Sequence, residues 1–248
     1  MGLDGIERND LAAWDAATGA PALPIGRNGE LDLPASYDVA PTIHEDLLIL
    51  GSNGPPGGIH ALDAASGASV WSFAGVPQPG EEGAETWLDA GPATDVHVTH
   101  EPAFTIDVDR GLLFAVFGGP EPGARYGGAR AGDTLFANAI VALDVRSGRK
   151  RWHFQTVRHD LWDYDLPAAP ALLDITRGGG LVPVVAAAGK TGYVYLLNRV
   201  TGEPVFGINE HAAPPSDTPG EHAAATQPVP AAPPPIARVS FAGADLVG

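Results

Sequence analysis

The densest run of chemically capable side chains is His159-Asp160-Leu161-Trp162-Asp163-Tyr164-Asp165. Three carboxylates, an imidazole and two aromatic rings in one short stretch could furnish a general base or hold a cation. The same residues also fit an acidic turn in which Trp162 serves as a packing wedge. A second candidate is Lys190, in Ala188-Gly189-Lys190-Thr191-Gly192. A phosphate loop would need glycine where Val184 stands, and the following Tyr193–Leu197 reads as strand, so this is not a nucleotide site. Lysine is rare in the chain, occurring only at 150 and 190. A lysine in a glycine-flanked turn can point into a shared centre; it can also be a solvated turn residue. No Gly-x-Ser-x-Gly elbow, His-Glu-x-x-His helix or dinucleotide fingerprint is present. His44, His97 and His100 stand isolated and read as loop or strand histidines.

These side chains must be positioned by short strands. Four segments repeat one pattern: Leu11–Gly19, Ile59–Gly67, Ile140–Gly148 and Val194–Gly202. Each has an apolar stretch, then Asp15, Asp63, Asp144 or Asn198, then Ser/Thr-Gly three and four residues on. A large apolar side chain follows: Leu23, Trp71, Trp152 and Phe206. The Asp/Asn side chain accepts backbone N–H bonds in a turn, and the glycine supplies the positive φ that closes it. Each repeat is thus expected to be an antiparallel hairpin. The turns fall at residues 15, 63, 144 and 198, a spacing that suits propeller blades of about 40–50 residues with insertions. Runs at 47–50, 111–117 and 182–186 supply earlier strands of such blades. Residues 74–100 read as a loop between blades, and the Ala/Pro-rich 212–238 as an extended segment.

Composition supports this class. In 248 residues there are 32 Gly and 24 Pro, which disfavours long helices and favours many turns. The net charge of −16 repels phosphate backbones and anionic lipid, so nucleic acid is a poor partner. With no cysteine there are no disulfides, thiol nucleophiles or Cys-ligated metals. No apolar run is long enough for a transmembrane helix. Residues 1–8 lack a basic region followed by an apolar stretch, so no signal peptide is expected there.

Residues 140–167, with Glu85-Thr-Trp87, Tyr126-Gly-Gly128, Gly132-Asp133, Asn198-Arg199, Pro215–Glu221, Thr226–Pro228 and Pro233–Arg238, resemble the pyrroloquinoline-quinone-dependent dehydrogenases. The similarity is greatest to the membrane-type glucose/polyol branch. It covers nearly the whole chain and is most specific over 140–238. The resemblance implies an all-β fold, a β-propeller of the quinoprotein dehydrogenase type with about four blades of an eight-bladed ring present. Residues 1–207 would form the partial propeller, and 208–248 an extended segment leading toward a further blade. It implies a periplasmic oxidoreductase segment that oxidises a sugar or alcohol hydroxyl by hydride transfer to pyrroloquinoline quinone (PQQ), with Ca²⁺ and a quinone or cytochrome electron acceptor. Asp163 matches the family's catalytic carboxylate. Lys190 matches the cation beside the quinone oxygens, where methanol-type enzymes carry Arg. Asn53 and Gly54, in a shortened loop, and His100, aligned with the family's stacking Trp, would contact the quinone. Gly119 stands where methanol-type members have a Ca²⁺-binding Asn, leaving the metal ligands unassigned. A non-catalytic propeller module, or degenerate fragment acting as a binding scaffold, is the alternative implied by these departures. Four repeats leave open strand edges through which chains could self-associate.

Overall fold

A computed structural model of the protein describes residues 10–22, 29–32, 40–52, 57–88, 97–98, 103–121 and 126–240. Asn53, Gly54, His100 and Leu23 lie outside these residues. The regular elements of the described residues are almost entirely strands. In order they are β1 (Asp10–Ala12), β2 (Glu30–Asp32), β3 (Thr42–His44), β4 (Leu47–Ser52), β5 (Gly58–Asp63), β6 (Ser69–Ala74), β7 (His97–Val98), β8 (Ala103–Asp107) and β9 (Leu112–Val116). They continue with β10 (Pro120–Glu121), β11 (Ala139–Asp144), β12 (Lys150–Gln155), β13 (Ala171–Arg177), β14 (Gly180–Ala188), β15 (Val194–Asn198), β16 (Ile208–Ala212) and β17 (Thr226–Pro230).

Two sheets are four-stranded antiparallel blades, β3-β4-β5-β6 and β8-β9-β11-β12. A third, β13-β14-β15, has three strands, and β1-β2 is a two-stranded piece. The expected turns account for this regularity. Asp15, Asp63 and Asp144 each accept the N–H and the hydroxyl of the Ser/Thr three residues on, at 2.6–3.0 Å. Asn198 accepts from Val200 and Thr201 instead. Gly19, Gly67, Gly148 and Gly202 sit at φ 67–76°, and each donates its N–H to the Asp/Asn carbonyl. Two repeats are full hairpins as expected, β5–β6 and β11–β12; the first makes the same turn, with Ala22 donating to the Ala13 carbonyl and a single Trp14–Pro21 bridge, while β1 pairs with β2 outside it. The fourth turns in the same way, with Val205 donating to the Leu196 carbonyl. There too only an isolated bridge forms, Leu197–Pro204.

The inner strands β9 and β11 of the β8-β9-β11-β12 blade are buried on both faces, and so they read as continuous apolar runs. Leu113, Ala115, Val141 and Leu143 face Ile49, Ile59, Ala61 and Trp71 of the preceding blade. Leu112, Phe114, Val116, Ile140 and Ala142 face Val185, Ala187, Tyr195 and Leu197 of the following one. At both junctions an indole from one blade lies on the turn glycine of the next. Trp71 donates its Nε1–H to the Val145 carbonyl at 3.1 Å, and Trp152 donates to the Arg199 carbonyl at 3.0 Å. A Cβ at Gly148 would fall 2.5 Å from the Trp71 ring, and one at Gly202 would fall 2.7 Å from that of Trp152. Each glycine is therefore required twice, for its φ and for the space the indole fills.

This double requirement is testable against Gly19, which occupies the same turn at φ 68° with no described atom within 4 Å of its Cβ position. Gly19→Ala should cost about 1 kcal/mol through backbone strain alone. Gly148→Ala should cost roughly 3 kcal/mol or more, because the indole must also move. Urea unfolding of the two variants measures the difference, and equal costs would contradict the indole contact.

Candidate active site

Asp163 and Lys190 meet. Lys190 lies in the turn between β14 and β15, and Asp163 in the loop after β12. The Lys190 ammonium donates to Asp163 Oδ2 at 2.8 Å and also to Asp165 Oδ2. Burial by itself would lower the Lys190 pKa, but the two carboxylates more than reverse that and hold the ammonium well above its ordinary value. Asp165 is the organiser of the pair. Its second carboxylate oxygen accepts the Gly119 N–H at 2.7 Å, and its carbonyl accepts the Lys190 N–H at 2.9 Å. The turn carrying the lysine is thus fixed at both its backbone and its side chain. Asp163 itself is half exposed and sits at φ 63°.

The loop from 159 to 165 is held from beneath by Asp160, which is 1% exposed. Its carboxylate accepts the N–H groups of Trp162 and Tyr164 and the Nδ2–H of Asn138. Burial raises its proton affinity, which these donors oppose. His159 is buried away from the pair and donates Nδ1–H to the Gly132 carbonyl. Trp162 and Tyr164 flank Asp163 with ring centroids 5.6 Å apart.

Beside Lys190 opens a cleft of about 520 Å³, lined by Trp162, Tyr164, Thr191, Tyr193, Gln227 and Arg238 among others. One wall of it comes from the segment after residue 207. There β16 and β17 pair as an antiparallel hairpin. Arg158 pins that hairpin to the site loop by a bidentate pair with Glu210 at 2.6 and 2.8 Å. Gln227 adds a two-way bond with the Arg158 backbone. Tyr195 spans the floor, donating its hydroxyl toward the Thr156 and Pro228 carbonyls.

Of the residues expected from the sequence, Asp163 and Lys190 are brought together, while Asn53, Gly54 and His100 lie outside the described residues. Sequence reading did not single out Asp165, Asp160 or Asn138. The two aspartates were visible as members of the acidic run, but nothing in their spacing ranked them; Asn138 carried no signal. Gly119, noted for lacking a side chain, contributes its backbone. A Cβ there would sit 3.2 Å from Asp160 Oδ2 and 3.5 Å from Asp165 Oδ1.

The stacked four-stranded antiparallel sheets, with a charged pair on the loops that follow them, define a segment of a β-propeller with a loop-borne site. The chain belongs to the PQQ-dependent dehydrogenase family: residues 4–248 match the family model described as "PQQ: Glucose/ethanol/alcohol dehydrogenase, beta-propeller domain". It is 34% identical to the quinoprotein glucose dehydrogenase of Gluconobacter oxydans over 88% of this chain and 29% of that protein. It is 30% identical to the quinate/shikimate dehydrogenase (quinone) of Acinetobacter baylyi over 96% of this chain and 32% of that one. Among solved structures, the quinohemoprotein alcohol dehydrogenase of Comamonas testosteroni superposes with a TM-score of 0.70 at 25% identity, covering 90% of this chain and 35% of that chain. The chain spans about a third of the length of these relatives.

The Arg158–Glu210 clasp has a pH signature. Hydrogen bonds from Arg158 and Thr226 pull Glu210 from 4.5 down to about 2. A depressed carboxylate stabilises the fold above its unfolded pKa and loses that contribution as the pH falls through the folded value. Glu210→Gln should therefore lower stability above about pH 4.5 and make little difference near pH 2. Glu210 is half exposed, which screens the pair and holds the loss to about 1 kcal/mol or less. Urea titrations at several pH values provide the check.

Proposed function

We propose that this chain supplies the base and the cation of a dehydrogenase that oxidises a sugar or alcohol hydroxyl with PQQ. The observation that carries the reading is the 2.8 Å contact between Asp163 and Lys190 at the edge of an aromatic-walled cleft. A planar quinone bearing three carboxylates needs flat apolar walls and nearby positive charge. Trp162, Tyr164 and Tyr193 offer the first, and Lys190 and Arg238 the second. When bound there, PQQ would supply the acceptor for a hydride equivalent from the substrate's carbinol carbon. Asp163 receives the hydroxyl proton as that C–H bond breaks, leaving a carbonyl product. The Lys190 ammonium stabilises the negative charge that builds on the acceptor oxygens. Asp165 keeps the lysine protonated and aimed while Asp163 is engaged with substrate. Asp163 and Lys190 arrive on loops of consecutive sheets, so their separation is set before substrate enters, which is the source of the rate advantage.

The same reading expects Ca²⁺ near the quinone. Among the described residues no three His, Asp or Glu side chains converge to hold it, so calcium in this reading draws ligands from outside that set. A periplasmic setting and a quinone or cytochrome as final electron acceptor follow from family membership and complete the proposal. No helix among the described residues is long and apolar enough to cross a membrane. The division into a propeller part, 1–207, and a following segment, 208–248, is part of the same reading. So is self-association of this chain in isolation through its open blade faces, which sedimentation would reveal as concentration-dependent oligomers.

The scaffold alternative draws on one observation: Gly119 gives the site no side chain, and a Cβ there would press on Asp160 Oδ2 at 3.2 Å. One set of measurements separates the readings. In the full-length protein carrying this segment, Asp163→Asn should lower quinone reduction by about 10³-fold or more with quinone binding retained. Lys190→Ala should weaken both. Wild-type turnover in Asp163→Asn overturns the assignment of the base, and failure of the wild type to bind or reduce the quinone favours the scaffold.

A further inference from the structure

The position of Asp163 is set by a buried residue that the proposed reaction does not itself employ. Asp163 stands at the apex of its loop with φ 63°, and His159, at the loop's start, has φ 44°. Side chains other than glycine's enter this left-handed region at a cost of about 1–3 kcal/mol each, and hold it only where their surroundings over-determine it. The determinant here is a single carboxylate. Asp160 Oδ1 accepts the N–H of Trp162 at 2.8 Å, and Oδ2 accepts the N–H of Tyr164 at 2.6 Å. These two peptide groups flank Asp163 on either side. Both ends of the apex are therefore drawn to one buried group, and the Asp163 side chain projects away from it toward Lys190.

The clasp is itself anchored. Asn138, buried and at φ 49°, gives one amide N–H to Asp160 Oδ2 at 2.9 Å and also reaches the Tyr164 carbonyl at 3.1 Å. Arg130, 5% exposed, donates Nη2–H to the Asp160 carbonyl at 2.5 Å. A Cβ at Gly119 would come within 3.2 Å of the same carboxylate. Asn138 begins the third hairpin and Arg130 belongs to the preceding loop, so the clasp ties the apex to the body of its blade.

We infer that Asp160 is a positioning residue for the proposed reaction: its carboxylate, gripping the peptide N–H groups on both sides of Asp163 and anchored by Asn138, sets the distance from the base to Lys190. This rests on the reading of Asp163 as the base. Asp160→Asn is nearly isosteric, but its NH₂ group faces an N–H donor where the carboxylate accepted one. The loop should relax, and Asp163 should leave its place beside Lys190.

The test uses the full-length enzyme with PQQ added. In Asp160→Asn, kcat should fall about 30- to 100-fold, the loss expected for a displacement of roughly 1 Å. KM and the dissociation constant of PQQ should stay within about threefold, because Lys190, Thr191, Tyr193 and Arg238 hold the cleft while only its Trp162 and Tyr164 edge moves with the loop. Asn138→Ala, which removes one donor and leaves both backbone bonds, should give a smaller fall in kcat, about 3- to 10-fold, with the same constancy of KM. If Asp160→Asn does not fold, Asn138→Ala carries the test. Asp163→Asn serves as the reference: if it is active, the assignment of the base has failed and the inference with it. If Asp163→Asn is inactive while Asp160→Asn keeps kcat within twofold of wild type, the positioning role alone is overturned. A loss of kcat that merely tracks the folded fraction, or that comes with an equal loss of PQQ affinity, overturns it as well.

Discussion

The contact on which the rest of the architecture depends is an indole lying flat on a glycine. A blade of four short antiparallel strands cannot bury its own apolar faces, so its stability comes from its neighbours. The repeat solves this with one device used twice. Trp71 and Trp152 each leave the outer strand of a blade, cover the turn glycine of the next, and donate to a carbonyl in or just after that turn. The contact fixes rotation and separation between blades together, since the ring is rigid and the hydrogen bond directional. Both fixed quantities matter at the site, because Asp163 comes from the loop after one sheet and Lys190 from a turn of the next. An error in blade packing would appear directly in the base-to-cation distance.

Charge is arranged around that distance in layers. Lys190 is the only lysine at the site, and two carboxylates hold it protonated. Beneath them Asp160 turns its carboxylate inward, to the N–H groups of Trp162 and Tyr164 and the Asn138 amide. The hairpin formed by β16 and β17 then closes one side of the cleft. It is held by Arg158, from the segment that leads into the same loop, which pairs with Glu210 of β16 and exchanges backbone bonds with Gln227 of β17. The site thus uses residues from both ends of a single loop: 158 to hold the wall, 160 to shape the apex, 163 and 165 to face the lysine.

Much of this was legible in the sequence, for definite reasons. The four turns announce themselves because the cap needs Asp or Asn, the next bonds need Ser or Thr, and the closing residue must be glycine. The β9 and β11 runs read as strands because a blade buried on both faces has no polar alternation. Asp163 and Lys190 were legible through family resemblance, whereas the run of three carboxylates could not by itself show that Asp163 and Asp165 face the lysine while Asp160 turns inward. That choice is made by backbone torsions at His159 and Asp163, which residue identity does not reveal. Pairing of β16 with β17 was hidden for a similar reason. An Ala/Pro-rich composition indicates extended chain but does not say which partner it finds. The first and fourth turns each close on a single bridge, Trp14–Pro21 and Leu197–Pro204, a difference from the two full hairpins that the shared turn pattern does not show.

The central claim is that Asp163 and Lys190 act as one unit on a bound quinone. A double-mutant cycle on the single-turnover rate of PQQ reduction in the full-length enzyme tests it most directly. Asp163→Asn, Lys190→Ala and the double variant are compared at saturating PQQ. The account predicts strong coupling, with the double variant no slower than the slower single one, because either change dissolves the same unit. Independent effects, with the double variant slowed by the product of the two single factors, would contradict it.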